Sequence, residues 1–499
     1  MITEHNSTSP TSTENLAAEL SLWARAGQCI LLSGELGSGK STFARAFIRA
    51  LAPDDPEFDV PSPSFSLVQT YENTRVPVAH VDLYRLNSPD EIDELGLDDL
   101  LGGHILLIEW PEKLRRKPGD NCLTITFSGT GQHRNLKLDA QGNWVDCLKR
   151  NSVINDFIAH STLSAGKRSF LEGDASSRRY ESIGDRTTRV LLMDMPSRPD
   201  GPIVKNNKPY SAIAHLAEGI EAVVAINDHL FSLGYSVPEV TDVSLEDGLA
   251  FIEPLGTQVF GKMMARGEAM QKPMQAAVEV LANIAGKTWP RAVPLRGKAD
   301  YHLASYDPDA MMIEVDLLPS WFWPHVKKSM PSDEARQSFA SLWHDLLGHV
   351  QPEHPVWTLR DYHSPNLLWM PERSGIRRVG IIDTQDCVIG HAAYDVVSML
   401  QDARVDIDFQ FADGLYDHYC NLRMAAGPFD AKDFARAFAI LGAQRATKIL
   451  GIFARLAKRD GKPVYLKHIP RVARYLSRNL KHPDLARLKS WYDHYLPLE

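Results

Sequence analysis

The run Gly34-Glu35-Leu36-Gly37-Ser38-Gly39-Lys40-Ser41 limits the possible folds more than any other stretch of this sequence. It satisfies the spacing Gly-x4-Gly-Lys-Ser in full. The apolar run Cys29-Ile30-Leu31-Leu32 precedes it, and Phe43, Phe47 and Leu51 recur at helical spacing after it. Strand, glycine-rich turn and helix in that order open an α/β unit. The glycines let backbone N–H groups turn inward around a phosphate, and the helix adds the positive end of its dipole. Lys40 is placed to reach the β and γ phosphates of a nucleotide, and the Ser41 hydroxyl to bind Mg²⁺.

Such a loop fixes a ligand but not a reaction, which also needs acids near the metal and the attacking group. Two strand patterns supply them. Val78 to Leu83 alternates around Asp82, and Ile105-Leu106-Leu107-Ile108 ends in Glu109. Strand ends are where a parallel sheet presents its ligand, so both acids are site residues unless they are plain surface carboxylates. Ahead of the loop, residues 13–27 read as an amphipathic helix capped by Thr13 and stopped by Gly27. Residues 121–146 read as short strands turning at Gly129-Thr130-Gly131 and Gly142-Asn143. The boundary of this α/β domain falls near 148–160.

The loop is followed in order by Ser62-Pro63-Ser64-Phe65-Ser66-Leu67, His80-Val81-Asp82-Leu83-Tyr84-Arg85 and Ile108-Glu109-Trp110-Pro111. With these motifs, residues 10–145 resemble TsaE, the small ATPase of the bacterial machinery that makes threonylcarbamoyl-adenosine in tRNA. Ser64 replaces the usual Thr and keeps a hydroxyl. The resemblance implies that Lys40, Ser41 and Thr42 bind phosphate and Mg²⁺. It also implies that Asp82 and Glu109 serve the metal and the attacking water, and that Trp110 lies beside the nucleotide. TsaB- and TsaD-like partners are implied as well, with tRNA reached only indirectly.

The second half carries different chemistry. In Leu359-Arg360-Asp361-Tyr362-His363-Ser364-Pro365-Asn366 an Asn stands five residues after an Asp, and Gly380-Ile381-Ile382-Asp383 ends a later apolar run. This is the spacing of a kinase catalytic loop and its metal-binding Asp. Asp361 would accept the proton of an attacking hydroxyl, while Asn366 and Asp383 hold Mg²⁺ against the phosphates. The alternative is a set of turn-forming residues. His344-Asp345 imitates the start of such a loop, but Val350 stands where the Asn should be, so it reads as a helix-surface pair. His363 is assigned a structural role in orienting the loop. Strand-like pieces at 167–171, 179–183 and 189–194 precede a loop from Pro196 to Pro209, expected to be mobile, and one long helix over 211–233. The strand Gly248–Glu253 follows, and from 270 onward the pattern is helical except over 356–395.

The Asp361–Asn366 loop, Ile382-Asp383-Thr384-Gln385-Asp386 and Ala393-Tyr394-Asp395 resemble aminoglycoside-phosphotransferase-like kinases. More narrowly, Gly173-Asp174-Ala175-Ser176-Ser177-Arg178-Arg179-Tyr180, Leu191-Leu192-Met193-Asp194-Met195-Pro196 and Leu359 to Trp369 are similar to the AmgK branch. That branch phosphorylates N-acetylmuramate and N-acetylglucosamine at C1 in cell-wall recycling, which implies an amino-sugar substrate here. The third strand, Val190-Leu191-Leu192-Met193-Asp194, lacks the lysine that normally reaches the phosphates, and the glycine-rich loop is reduced to Gly173. Arg178 or Arg179 would substitute, or metal would hold the nucleotide. Glu253 sits at the linker between lobes. Gln444, Arg445 and Arg455 either face the sugar or form a solvated helix face.

The expected fold is thus an α/β P-loop NTPase domain over 1–150, followed by a bilobal α+β protein-kinase-like (aminoglycoside phosphotransferase) domain over 160–499. Its lobes divide near 256–257. Rival readings are a P-loop kinase with a lid carrying Arg115 and Arg116 in the first half, and, in the second half, a kinase for another sugar or an amino-alcohol, or a pseudokinase scaffold. Lys+Arg number 54 against 63 Asp+Glu, a net charge of −9, which argues against a nucleic-acid coat. Five scattered cysteines with no CxxC pair read as free thiols of a reducing, cytoplasmic compartment, and a zinc site is not expected. No window approaches 18 uninterrupted apolar residues, so no membrane span is expected.

Overall fold

The computed structural model describes all residues except 53–54, 56–57, 130–132, 162, 164–165, 172–177, 185–188, 198–200 and 499. The expected turn at Thr130-Gly131 and the glycine Gly173, with Asp174 to Ser177, lie outside the described residues. The chain divides into two compact units, residues 1–189 and 190–499.

The first unit is built on a seven-stranded sheet. Its strands are β1 (Ile2–Ser7), β2 (Cys29–Gly34), β3 (Val68–Tyr71), β4 (Val78–Asp82), β5 (Ile105–Glu109), β6 (Cys122–Ser128) and β7 (Arg134–Ala140), in the order β1-β7-β6-β2-β5-β4-β3. β6, β2, β5 and β4 run parallel, and antiparallel strands close both edges. Parallel strands covered on both faces need continuous apolar side chains. Accordingly Cys29 to Leu32 and Ile105 to Ile108 are all buried. Helix α2 (Lys40–Ala50) leaves the loop with Phe43, Phe47 and Ile48 buried.

Two expectations near the N-terminus are corrected. Helix α1 (Pro10–Ser21) starts earlier and ends earlier than the pattern suggested. Ser9 caps it, accepting from the Ser12 N–H, whereas Thr13 is buried with its hydroxyl 2.8 Å from that of Ser7. The polar start of the chain forms β1, paired with β7 from Ile2↔Asp139 to Ser7↔Arg134. An edge strand needs little apolar content, so periodicity did not show it.

The expectation of five free thiols also fails. Cys29 and Cys122 are opposite one another on β2 and β6, with Cα atoms 4.7 Å apart, and form a disulfide. Their separation of 93 residues hid the pairing, because only the strand order makes them neighbours. Cys147, Cys387 and Cys420 are free and buried.

The helix Trp144–Ala159 and the antiparallel hairpin of β8 (Arg168–Leu171) and β9 (Arg179–Ile183) complete this unit. The hairpin is held by buried charge. Arg168 grips Glu181 with two hydrogen bonds of 2.7 and 2.9 Å and donates to Asn151 and Asn155 on the helix. Glu181 is fully buried and also pairs with Arg179, so removing its carboxylate would strip both guanidiniums of it at a cost of about 3–5 kcal/mol.

The second unit opens with β10 (Val190–Asp194), antiparallel to the strand Leu249–Ile252, which pairs in turn with Val240–Ser244. The segment expected as a loop contains the hairpin Ile203–Lys205 with Lys208–Pro209. The single helix expected over 211–233 is two, Tyr210–Ala214 and Ile220–Ser232. They break at His215, whose φ of 53° is left-handed. The remainder is mostly helical. Its longest helix, Ala431–Arg459, has the length and hydropathy of a membrane span, but 83% of that apolar window is buried inside the fold, as in a core helix.

Candidate functional sites

In the first unit the phosphate loop bends where only glycine fits. Gly34 has a φ of 147°, and a Cβ there would lie 2.8 Å from the Phe127 carbonyl. Gly37 and Gly39 are also left-handed in φ, and Leu36 stands exposed at the tip. Lys40 is buried. Its ammonium donates to the carbonyls of Gly34 (2.8 Å) and Glu35 (2.9 Å) and lies 3.8 Å from the Trp110 ring. Burial lowers its pKa, against the opposing pull of Glu109, Glu112 and Asp82. Trp110 turns over the lysine with a left-handed φ of 63° and packs on Tyr84, ring centroids 5.0 Å apart.

The two acids come together by register, since Asp82 on β4 is the direct neighbour of Glu109 on β5. Ser41 donates to one Glu109 oxygen at 2.9 Å, and His80 Nε2 lies 3.1 Å from the other. Asp82 accepts from the Ser64 hydroxyl at 2.9 Å and from the Tyr84 N–H at 3.0 Å. One hydroxyl and two carboxylates are hard oxygen donors of the kind Mg²⁺ takes. Thr42 is half-buried in the first turn of α2. On the other side of the loop Arg134 donates to the Ser38 carbonyl at 2.8 Å and to that of Gly37 at 3.3 Å. His80 and Arg134 were not singled out from the sequence. His80 carried a signal, because two residues from Asp82 on a strand is the same face. Arg115 and Arg116 form exposed ion pairs with Asp90, Asp93 and Asp98. Arg179 packs 3.5 Å from the Trp23 ring and pairs with Glu181 at 2.6 Å, so its guanidinium serves the packing of the first unit. Arg178, half-buried, stands just before β9.

In the second unit, pairing of the strands Leu367–Trp369 and Val379–Ile381 sets Leu367 against Ile381. Asn366 and Asp383 therefore emerge at adjoining strand ends, and the Ile382 N–H donates to the Asn366 carbonyl at 3.0 Å. Asp383 holds a left-handed φ of 65°, a conformation costly for a non-glycine and concentrated at functional sites. The Asn366 amide N–H donates to the Asp361 carbonyl at 3.1 Å, which leaves its oxygen as the atom suited to a cation. The donor set of one amide oxygen and one carboxylate fits Mg²⁺.

A polar framework holds the loop that carries Asp361. Buried Asp395 accepts from the N–H groups of Leu359 (2.7 Å) and Arg360 (2.9 Å), and burial raises its pKa to about 7. Asp402 accepts from the Ser364 N–H and hydroxyl. Arg360, left-handed at φ 66°, ion-pairs with buried Glu314 and donates to the Ala214 carbonyl at 2.9 Å. Lys448, 2.7 Å from Glu314, and Tyr306 complete the cluster. Burial alone would raise the pKa of Asp361, but His363, Arg445, Lys448 and Arg360 hold it below the usual carboxylate value. His363, 3.8 Å from the Asp361 carboxylate, is mostly buried. Gln444 and Arg445 are not on a solvated face. Gln444 is fully buried against Glu314, and Arg445 lies under the loop, bonded to the Arg360 carbonyl. Arg455 is half-buried. His344 and Asp345 are exposed on the helix Asp333–Gly348, as expected.

Leu255, Leu368 and Met370, joined by Val259 and Ile382, form a small apolar cluster beside Asp383. Its flat aliphatic groups suit a nucleotide base. Glu253 does not reach it, being paired with Arg373 at 3.0 Å. A separate cavity of about 440 Å³, lined by Phe409, Tyr416, Phe438 and Tyr475 among others, shares no residue with Asp361, Asn366 and Asp383.

Comparison with known proteins divides the chain earlier, between residues 136 and 167, so the β8–β9 hairpin falls in the second match. Residues 7–136 match the family described as Threonylcarbamoyl adenosine biosynthesis protein TsaE, and residues 167–438 match the Phosphotransferase enzyme family. The N-acetylmuramate/N-acetylglucosamine kinase of Caulobacter vibrioides is 33% identical over 361 residues, covering 70% of this chain and 98% of that protein. The tRNA threonylcarbamoyladenosine biosynthesis protein TsaE of Rickettsia conorii is 39% identical over 177 residues, covering 36% of this chain and 99% of that protein. Among solved structures, Bacillus subtilis YdiB is 23% identical, at a TM-score of 0.26, over 31% of this chain and 97% of its own. Choline kinase LicA of Streptococcus pneumoniae is 13% identical, at a TM-score of 0.44, over 66% of this chain and 99% of its own.

Proposed function

We propose a function from the premise that this chain belongs to two families, TsaE through residues 7–136 and the phosphotransferase enzyme family through residues 167–438. It is a fusion of a TsaE ATPase domain with an ATP-dependent phosphotransferase domain. In our reading the first unit serves threonylcarbamoyladenosine modification of tRNA. It works in the cytoplasm with TsaB- and TsaD-like partners and touches tRNA only through them. Lys40 and the backbone of Gly34 to Thr42 hold the triphosphate there, Trp110 covers it, and Glu109, fixed by His80 and Ser41, orients the attacking water.

The second unit transfers the γ-phosphoryl group of ATP to the anomeric hydroxyl of an amino sugar, N-acetylmuramate or N-acetylglucosamine, giving ADP and the sugar 1-phosphate. Asp361 accepts the hydroxyl proton, and Asn366 and Asp383 are the ligands for Mg²⁺, as Ser41 and Asp82 are in the first unit. When bound, the metal supplies positive charge that neutralises the phosphate oxygens. The observation that supports this reading is that Asn366 and Asp383 emerge at one pair of strand ends, with the Asn366 amide bonded back to the Asp361 carbonyl and cations holding Asp361 ionised. The test is sugar 1-phosphate formation by the full chain with either sugar. Asp361→Ala should lower kcat by about 10²- to 10⁴-fold, the usual contribution of a general base. Equal rates in the wild type and the variant would overturn the mechanism.

A further inference from the structure

The helix Ala431–Arg459 meets the loop of Asp361 through Arg445, bonded to the Arg360 carbonyl, and carries three cations. Arg445, Lys448 and Arg455 are spaced by three and seven residues, which keeps them on neighbouring faces. Arg445 and Lys448 stand at the catalytic loop, where both act on the charge of Asp361. At 1.5 Å per residue, Arg455 lies about 10 Å farther along the axis than Lys448, a distance on the scale of a substituted sugar ring.

The cations differ in what neutralises them. Arg360 and Lys448 share the carboxylate of Glu314. Arg445 faces Asp361 and Asp402. Arg455 has no carboxylate within ion-pairing distance among the described residues. Its guanidinium lies 5.2 Å from the Tyr210 ring and hydrogen-bonds the phenol, while its buried Nε has no hydrogen-bond partner. Burial raises the Tyr210 pKa to about 12, so the phenol is neutral. The remaining charges that act on Arg455 are Arg459 and Asp460, which pair with one another at the exposed end of the helix. Arg455 is thus a half-buried, permanent cation facing a neutral ring, a costly arrangement that an incoming anion would relieve.

We propose that Arg455, framed by Tyr210 and backed by Lys448, receives an anionic substituent of the acceptor, and so favours a carboxylate-bearing amino sugar over a neutral one. This rests on the sugar-kinase reading and sharpens it. N-acetylmuramate differs from N-acetylglucosamine by a lactyl ether that carries a carboxylate, and a planar guanidinium meets a carboxylate with two parallel hydrogen bonds.

The test compares both sugars on the full chain. Arg455→Gln should raise the KM for N-acetylmuramate by about 10- to 100-fold, as expected for a lost charge-assisted contact. The KM for N-acetylglucosamine should change by less than about twofold, the scale of a substitution away from its contacts. Arg455→Lys should recover part of the loss, because it restores the charge without the fork. An equal shift for both sugars, or an unchanged KM for N-acetylmuramate, would overturn the assignment of Arg455 and leave the sugar-kinase reading standing. A wild-type chain that phosphorylates neither sugar would bring down that reading, and this inference with it.

Discussion

The two phosphate sites reach one end by opposite constructions. In the first unit nearly everything that would touch the triphosphate comes from one continuous turn and the residue after one strand. Main-chain N–H groups, Lys40 and Ser41 follow each other directly, and Trp110 adjoins Glu109. In the second unit Asp361, the carboxylate proposed as base, sits on a loop held from elsewhere, by Asp395, Asp402, Arg360 and Glu314. One site is a local backbone device. The other is a small reactive centre on a buried polar scaffold. The first should tolerate changes far from its loop, while the second should fail when remote buried charges are altered.

The largest effect that would test this contrast is expected at Glu314. Glu314→Ala leaves Arg360 and Lys448 buried without their shared carboxylate, and should destabilise the second unit by about 3–5 kcal/mol in denaturant titrations. A loss below about 1 kcal/mol, the scale of a surface ion pair, would show that the scaffold is not what holds the loop.

A smaller effect is expected at Lys40. Lys40→Ala should weaken nucleotide binding in the first unit by about 10- to 100-fold, the value of a charged contact, and abolish tRNA threonylcarbamoylation in cells that depend on this chain. The same variant should keep its sugar-kinase rate. In an ATP titration the wild type should bind two equivalents and the variant one. A loss of both equivalents would break the separation of the two sites.

The smallest effect concerns the pH profile of the proposed sugar-kinase activity. The pKa of Asp361 is lowered below its ordinary 3.8, so the base is ionised at every pH above that value. As pH falls from neutrality, kcat/KM should not decline through protonation of Asp361 until well below about pH 5. A catalytic acid limb centred above that point, in a chain still folded, would mean that Asp361 is not the base or that its cations lie elsewhere.

What could be read from the sequence divides along the same line. Lys40, Ser41, Asp82 and Glu109 were legible because loop chemistry and strand ends are local patterns. Asp361, Asn366 and Asp383 were legible as candidates because their spacing along the chain is that of the roles proposed for them. Glu314 and Lys448 were not, because they are 134 positions apart and meet only through helix packing. The break was hidden because the residues on either side keep a helical pattern, although residues 215–219 leave the helix, from the left-handed His215 to the extended Gly219. Arg179 was expected near phosphate, but aromatic packing against Trp23 engages it in the first unit.

The bond between Cys29 and Cys122 has a consequence beyond the sheet it crosses. It closes a chord of 93 residues, so the ends of the phosphate-loop segment remain linked even when that segment is unfolded. In the chain-entropy account such a tether removes about 4–5 kcal/mol of freedom from the denatured ensemble. Both sulfurs lie within the dry interior of adjoining strands, where register alone keeps them opposite. A shift in thiol poise would therefore change how readily the ATPase unit melts far more than how it grips a nucleotide.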